Sequence, residues 1–318
     1  MTRLNHPVYC LRHLCCLLLV ALAWSSNAQQ DPLFSQYAYN KLAINPAYAG
    51  SSGRFSADLI SRFQWTGMPG APRTFAFNAH TPLHNPHIGL GLYTYRDELG
   101  PSVDYGALAA FAYRILFPST TLCFGIQAGF KYMDINWSML NPKDAGDPLL
   151  TGNVTNRMVP DADFGSYYYG KRFYLGLSAK HLFQNQVIVS STVPGDKTSF
   201  TRLQRNYYGI AGGAIPLGNN FELIPSLLVK YIPNTPVQAD FNASLQIKNL
   251  LTLGVAYRTG NAVICMMAIN IGNGFSFGYS YDLWFNSLRS YNQGSHEIRL
   301  GYEFDLFHKD RMLTPRYF

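Results

Sequence analysis

The chain has 318 residues, enough for one large β domain or two ordinary ones, and a formal net charge of +7. Hydrophobic residues make up 47% of it but charged residues only 14%, whereas about 25% charged residues is usual for a soluble domain. This balance argues against an ordinary soluble protein and is typical of strands that face lipid on one side and a polar lumen on the other. The basic residues form no dense block, which argues against nucleic-acid binding.

Residues 1–28 have the organisation of a secretory signal peptide. Arg3 and Arg12 make its beginning positive, and the apolar run that follows, 14–24, is too short to span a bilayer. Ser26-Asn27-Ala28 then offers a cleavage site of the small-x-small type. A membrane anchor helix is the alternative, but it would need about 20 apolar residues. We therefore expect an exported protein that is cleaved after Ala28.

Residues 29–53 lack alternation and precede the first strand. Their Asn-Pro pair and their Gly-Ser-Ser-Gly run are turn-forming sequences. We expect an ordered N-terminal segment that lies in the periplasm or inside a lumen. Asn45, Pro46, Tyr48 and Gly50 are candidate partner-binding residues, and the favoured alternative is that they form the turn that leads into the first strand.

From residue 54 to residue 306, apolar and polar side chains alternate along most of the chain. The pattern is clearest near the end, where the apolar positions are Leu251, Leu253, Val255, Tyr257, Val263, Cys265, Met267, Ile269, Ile271, Phe275, Phe277, Tyr279, Tyr281, Ile298, Leu300, Tyr302, Phe304 and Leu306. Period-two alternation predicts strands with one apolar and one polar face. About fourteen such strands fit into 54–306, many near the ten residues that a tilted membrane-spanning strand needs.

The connections between these strands alternate in length. After even-numbered strands most are tight, namely 118–120, 170–171, 217–220, 248–249 and 272–274, and 81–87 is slightly longer. After odd-numbered strands most are long: 66–73, 136–160, 181–203 and 282–295, with 259–261 as a short exception. Outer-membrane barrels have short periplasmic turns and longer outside loops. We therefore predict an all-β, transmembrane antiparallel β-barrel over 54–306, with residues 307–318 as a basic periplasmic tail; a secreted β-sandwich is the alternative.

Two features of the predicted wall need an explanation. Pro225 lies inside the ninth strand, where it cannot donate to a ladder, so we expect a bulge there. Charged residues also fall on the lumen parity: Arg62, Arg114, Lys131, Lys230, Arg258, Arg299, Glu303 and Asp305. They either line an anion-tolerant channel or form internal salt bridges that fill the lumen.

Three histidines lie close together in sequence around the first tight connection. His80, His84 and His87 would need converging nitrogens and a fourth ligand to bind zinc. The prolines between them give no helical face, so a polar turn is the simpler interpretation.

Other signals of chemistry are weak. Asn141, Asp144 and Asp147 offer oxygens suited to calcium, but they lack the spacing of an EF-hand, so a solvated loop is favoured. The chain has no G-x-S-x-G motif and no ordered Ser/His/Asp signature. We therefore expect no catalytic residues, no metal and no cofactor, and predict that the chain is not an enzyme.

Several motifs follow one another in a specific order. They are Gln30 to Tyr37, Asn45 to Ser51, Arg62 to Trp65, Gly70 to Thr74, Tyr257 to Thr259, Gly278 to Asp282 and Gly294 to Ile298. Together they resemble the landmarks of the PorP/SprF family of type IX secretion system membrane proteins, across essentially the whole chain after residue 28. The central region, 136–203, carries none of these landmarks.

The resemblance implies an integral outer-membrane protein that serves type IX secretion or gliding motility, without catalytic residues or a cofactor. The implied partners are type IX secretion components in the periplasm and outer membrane, secreted adhesin cargo, and the lipid bilayer. Segment 29–53 and the tail would meet periplasmic partners, whereas loops 136–160 and 181–203 would meet cargo outside. The alternatives are a passive outer-membrane diffusion channel for small solutes and, third, an outer-membrane hydrolase.

Overall fold

The protein is an antiparallel β-barrel, described by a computed structural model over residues 31–136, 139, 157–190, 197–260 and 262–306. The strands are β1 (Phe55–Phe63), β2 (Arg73–Pro82), β3 (Ile88–Leu99), β4 (Ser102–Leu116), β5 (Thr120–Ile135), β6 (Arg157–Gly170), β7 (Phe173–Lys180), β8 (Gln186–Ser190), β9 (Lys197–Arg202), β10 (Asn206–Gly213), β11 (Ile215–Pro216), β12 (Phe221–Tyr231), β13 (Gln238–Ile247), β14 (Leu251–Arg258), β15 (Ala262–Gly272), β16 (Phe275–Trp284) and β17 (Ser295–Phe304). Fourteen of them form the wall; β8 and β9 form a separate hairpin, and the two-residue β11 pairs only with β12. The prediction of an all-β barrel with about fourteen strands is confirmed. The predicted signal peptide and tail lie outside the described residues.

The sheet closes on itself at two places that are distant in sequence. The first strand pairs with the last, with Leu59 opposite Leu300, and β10 pairs with β12, with Ile210 opposite Leu228. Closure leaves the wall without a free edge, so every wall strand has a hydrogen-bonded neighbour on each side. Among the described residues, no helix is long and apolar enough to cross a membrane.

Alternation along the strands separates an apolar outer face from a polar inner face. In β14, Leu253 and Val255 are 44% and 56% exposed on the outside. On the opposite parity, Ala256 and Arg258 are buried. In a membrane barrel the outer face contacts lipid, and the polar side chains of the lumen form hydrogen bonds and ion pairs with one another.

The loops separate the barrel ends into two mouths. The long-loop mouth carries the connections 64–72, 100–101, 136–156, 181–205, 232–237, 259–261 and 285–294. The short-turn mouth carries 83–87, 117–119, 171–172, 214–220, 248–250 and 273–274. The connection after β3 has only two residues, because this strand continues to Leu99.

Pro225 does not form the bulge that we expected. It lies opposite Ala243 in the ladder between β12 and β13, which keeps one register throughout. On its other side, the neighbouring strand is interrupted between β10 and β11, at Ala214. Because proline has no N–H, the missing bond is accommodated by a break in that ladder, and the expected bulge is wrong.

Residues 31–53, here called the plug, lie inside the barrel. They contain three short 3₁₀ turns, Tyr37–Tyr39, Lys41–Ala43 and Pro46–Tyr48. At one end Asp31 contacts the strands that flank the 181–205 loop, so the plug begins at the long-loop mouth. At the other end Gly50 lies beside the end of β2, near the short-turn mouth.

Candidate functional site

The plug turn at 45–48 is fixed to the wall by its first residue. The Asn45 side chain accepts a hydrogen bond from Ala47 N at 3.0 Å, and Pro46 follows it at the first position of the turn. The side-chain amide nitrogen of Asn45 donates to the backbone oxygens of Ser166 at 2.8 Å and Leu177 at 3.3 Å. Asn45 thus caps the turn and also bonds β6 and β7, two functions that only a short amide side chain combines here.

Tyr48 and Gly50 complete the part of the plug that lies nearest the short-turn mouth. The Tyr48 ring packs edge-on against His80 and Tyr167, with centroid distances of 5.1 and 5.4 Å. Gly50 has φ of +71°, and its N–H donates to His80 Nδ1 at 3.3 Å. The structure therefore brings the four predicted residues Asn45, Pro46, Tyr48 and Gly50 together in one short stretch of the plug, where they are buried or half-buried.

The three histidines do not converge. His80 is buried against the plug, whereas His84 is exposed and His87 Nδ1 lies 2.8 Å from the backbone oxygen of Arg114. Within the part of the chain that the structure describes, the group of residues that could hold a metal ion is Asp161, Asp163 and His181.

Glycines in the wall make room for the plug backbone. A Cβ added to Gly125 would lie 2.3 Å from Ala47 N, and one added to Gly89 would lie 2.1 Å from Ala49 O. The same addition at Gly165 would lie 2.0 Å from Asn45 Oδ1. Real Cβ atoms do not approach so closely, so these strand glycines allow the plug to lie directly against the wall.

The part of the plug nearer the long-loop mouth is held by a carboxylate of the last strand. Glu297 accepts hydrogen bonds from the backbone N–H groups of Ser35 and Gln36, both at 2.8 Å. The Ser35 hydroxyl donates to Asp282 at 2.8 Å, and Arg258 donates to the backbone oxygen of Phe34. These bonds satisfy buried groups of the plug that have no secondary structure of their own.

Two arginines form ion pairs with the carboxylates of this cluster. Arg62 bonds Asp282 at 2.6 Å and Glu297 at 3.2 Å. Arg258 bonds Asp240 at 2.6 Å and lies 3.5 Å from Asp282. All five side chains are at most 1% exposed, so each charge depends on its partners for solvation.

Two further lumen cations are paired with carboxylates. Arg299 bonds Asp58 at 2.7 Å, and Lys131 bonds Asp104 at 3.0 Å. Arg114 donates to the backbone oxygen of Ile88. Of the two interpretations of the charged lumen, the contacts favour internal salt bridging over an open anion-tolerant lining.

A histidine between two carboxylates anchors the plug at the long-loop mouth. His181 Nε2 lies 2.8 Å from Asp31, and its Nδ1 lies 2.6 Å from Asp161. Asn206 donates to the second oxygen of Asp31 at 2.6 Å, and Lys180 lies 3.6 Å from it. Both ring nitrogens are used by carboxylates, which makes the group an ion-pair latch rather than a formed metal centre.

The latch favours a charged imidazole. Burial alone would lower the pKa of His181, but Asp31 and Asp161 raise it to about 9. Burial alone would likewise raise the pKa of Asp31, but His181 and Lys180 hold it well below its ordinary value. The latch is therefore strongest when His181 carries both protons.

We expect the latch to weaken as pH rises from about 6.5 to about 9. A folded-state pKa above the unfolded value gives stability that is complete below about 6.5 and is lost as pH passes about 9. Compared with His181→Gln, the wild-type barrel should lose up to ~3 kcal/mol of unfolding free energy over this range. Urea unfolding of both proteins at several pH values measures the difference.

The comparison with His181→Gln is needed because other groups also titrate over this range. Subtracting the stability of the variant from that of the wild type removes their contributions. Parallel pH profiles in the two proteins would contradict the latch.

The anchoring residues of the plug were missed by sequence analysis. Ser35 and Glu297 are 262 positions apart, and Asp31 and His181 are 150 apart. Asp31, Ser35 and Glu297 lie within the ordered motifs, but no local spacing relates any of these residues to its partner. Their parity identifies Asp161 and Glu297 as lumen-facing, but no pattern pairs them with the plug.

Solved structures support the fold. The chain is similar to CymD, a monoaromatic hydrocarbon channel, at 10% identity over 86% of this chain and 94% of that chain, with a TM-score of 0.55. The P. putida toluene transporter TodX (9% identity, 83% and 93% covered, TM-score 0.48) and the Acinetobacter baumannii outer membrane protein Omp33 (8%, 80% and 100%, 0.43) score too low to carry an argument. At such identities the likeness shows the barrel alone.

The family is established by the sequence. No curated protein is a match for the chain. The model of the family described as type IX secretion system membrane protein PorP/SprF matches residues 26–302, which include the plug and nearly all of the wall. This match confirms the resemblance carried by the ordered motifs, and together with the barrel it places the protein in the outer membrane. The chain belongs to the PorP/SprF family of type IX secretion system membrane proteins.

Proposed function

We propose that this protein is a non-enzymatic scaffold that helps the type IX machinery export or anchor surface adhesins and other secreted cargo. Family membership supports an association with the secretion machinery and the membrane. The proposed scaffold role is supported by the plug, because a lumen filled by the plug favours a scaffold over a passive diffusion channel.

The plug occupies the lumen with groups that the wall is built to receive. Asn40, Leu42 and Ala47 are at most 1% exposed. Bonds from Glu297, Asn45 and Gly50 attach the plug to three separate parts of the wall. A passive channel would need this segment to move, at the loss of these contacts, whereas a scaffold uses the barrel as it stands.

Each part of the chain has a place in this proposal. In an outer-membrane barrel the long-loop mouth faces outside, so loops 136–160 and 181–203 are proposed to meet cargo. The short-turn mouth and the tail are proposed to meet periplasmic secretion components. Asn45, Pro46, Tyr48 and Gly50 are buried or half-buried. We propose that they contribute to partner binding indirectly, by holding the plug in place.

Co-purification tests the proposal. The tagged protein, extracted from outer membranes in mild detergent, should carry type IX secretion components or a large adhesin that mass spectrometry identifies. Deleting 140–156, which lies between β5 and β6, should remove cargo but leave the barrel assembled, because no wall strand is shortened. Replacing 232–237 by a Gly-Ser linker is the matched control at the same mouth.

The outcomes separate the two levels of the proposal. Cargo that is retained after deletion of 140–156 would show that this loop does not bind it. A barrel that purifies alone from wild-type membranes would contradict the scaffold role, and conductance in planar bilayers would then test the diffusion channel.

A further inference from the structure

A cavity of about 570 Å³ lies on the outer face of the barrel, on the strands from β1 to β6. Its lining includes Phe77, Thr94, Ala107 and Phe130, with Arg96, Tyr105 and Tyr132 beside them. This cavity, here called the trough, has an almost entirely apolar surface. Since the outer face of an outer-membrane barrel contacts the bilayer, the occupant must come from the membrane.

Strand register explains the shape of the trough. Phe77, Thr94, Ala107 and Phe130 are direct neighbours across β2 to β5. The two small residues, Thr94 and Ala107, form the floor of the trough. Phe77 and Phe130 form its two side walls. A trough with parallel walls and an open top accommodates a flexible alkyl chain along its length.

One end of the trough is polar. In the next row of the sheet, Phe75 lies opposite Arg96, which lies opposite Tyr105. Arg96 Nε donates to the Tyr105 hydroxyl at 3.2 Å, and the guanidinium lies 5.8 Å from the ring centroid. Arg96 also pairs with Glu98, yet its side chain is 40% exposed on the outer face. Three residues further on, β3 ends at Leu99, at the long-loop mouth.

We propose that this trough binds a lipid of the outer leaflet, with an acyl chain on the Thr94 and Ala107 floor and a headgroup phosphate at Arg96. The apolar floor recognises the chain through burial of alkyl surface. Arginine recognises phosphate with several donors at once, and Tyr105 and Tyr132 have the amphipathic rings that lie at headgroup level.

Charge and depth select a lipid over a protein segment. The cation lies three residues before the end of β3 at the long-loop mouth, and the apolar floor lies in the next row of the sheet, farther from that mouth. This order, phosphate above alkyl chain, is that of an anionic lipid.

Native mass spectrometry of the purified full-length protein tests the site. Phosphatidylglycerol and phosphatidylcholine with identical chains are offered in equal amounts. The wild type should retain phosphatidylglycerol over phosphatidylcholine by about fivefold, the ratio expected from one exposed ionic contact. Ala107→Phe fills the floor and should lose both lipids. Arg96→Gln should keep the acyl chain but lose the preference.

Ala243→Phe is the matched control, because Ala243 is exposed on β13, on the far side of the barrel. Thr94→Leu fills the same floor from β3 and replaces Ala107→Phe if that variant does not assemble. Lipid retention in the floor-filled variant equal to that of the control would overturn the proposal. Equal retention of the two lipids by the wild type would overturn the role of Arg96.

Discussion

Replacing Gly125 by valine should displace the 45–48 turn and convert a silent barrel into a conducting one. A Cβ at this position would lie 2.3 Å from Ala47 N and 2.5 Å from the carbonyl carbon of Pro46. These are backbone atoms, which no rotamer change can move, so the plug must shift. The wall itself tolerates valine, because a β-branched residue suits a strand. Single-channel current in planar bilayers measures the result.

Gly209→Val is the control for this variant. A Cβ at Gly209 would meet only a side-chain carbon of Leu177 at 3.7 Å, an ordinary contact. The control should therefore remain as silent as the wild type, while Gly125→Val conducts. If both variants stay closed and both barrels are assembled, the plug does not depend on the wall glycines.

Replacing Arg62 by methionine should destabilise the barrel by about 3–5 kcal/mol. Methionine fills much of the same volume, but it leaves Glu297 without its cation and leaves Asp282 with only the more distant Arg258. Buried carboxylates that lose their partner retain the full cost of their desolvation. Urea unfolding of the barrel refolded in detergent gives the free-energy difference.

Arg54→Met provides the comparison. Arg54 pairs with Asp305, whose side chain is 53% exposed, so this pair should contribute only about 0–1 kcal/mol. Adding Glu297→Gln to Arg62→Met removes the carboxylate that has lost its cation and should restore part of the stability. A loss for Arg62→Met no larger than for Arg54→Met would show that the buried cluster is solvated by water instead.

Most of the wall was predictable from sequence, because lipid and lumen impose opposite polarity on successive residues. Leu253 and Val255 alternate with small residues for this reason alone, and the period of two is visible without any partner. The alternation of short and long connections likewise predicted a short-turn mouth and a long-loop mouth. The limits of β3 were less clear, because Tyr93 and Tyr95 face the lumen and give the strand apolar side chains on both faces.

The plug was not predictable in the same way. Its 3₁₀ turns have no long period, and several of its wall contacts join residues that are far apart in sequence, such as Asn45 with Ser166 (121 positions) and Ser35 with Glu297 (262 positions). The turn-forming sequence indicated order at 45–50 but not where it would lie. Similarly, Pro225 predicted a local disturbance, and only the two ladders beside it decide that the disturbance is a break and not a bulge.

The attachment of the plug to Glu297 has a consequence for assembly. Residues 31–36 are made first, yet their acceptor lies on β17, the last strand to be synthesised. Contacts of such high sequence separation form late, because their loop-closure entropy is lost before any bond is gained. The backbone N–H groups of Ser35 and Gln36 can therefore be bonded by Glu297 only once the final strand has joined the first. A chain that stops short of β17 would leave these two groups without that acceptor, so a fully seated plug marks a completed barrel.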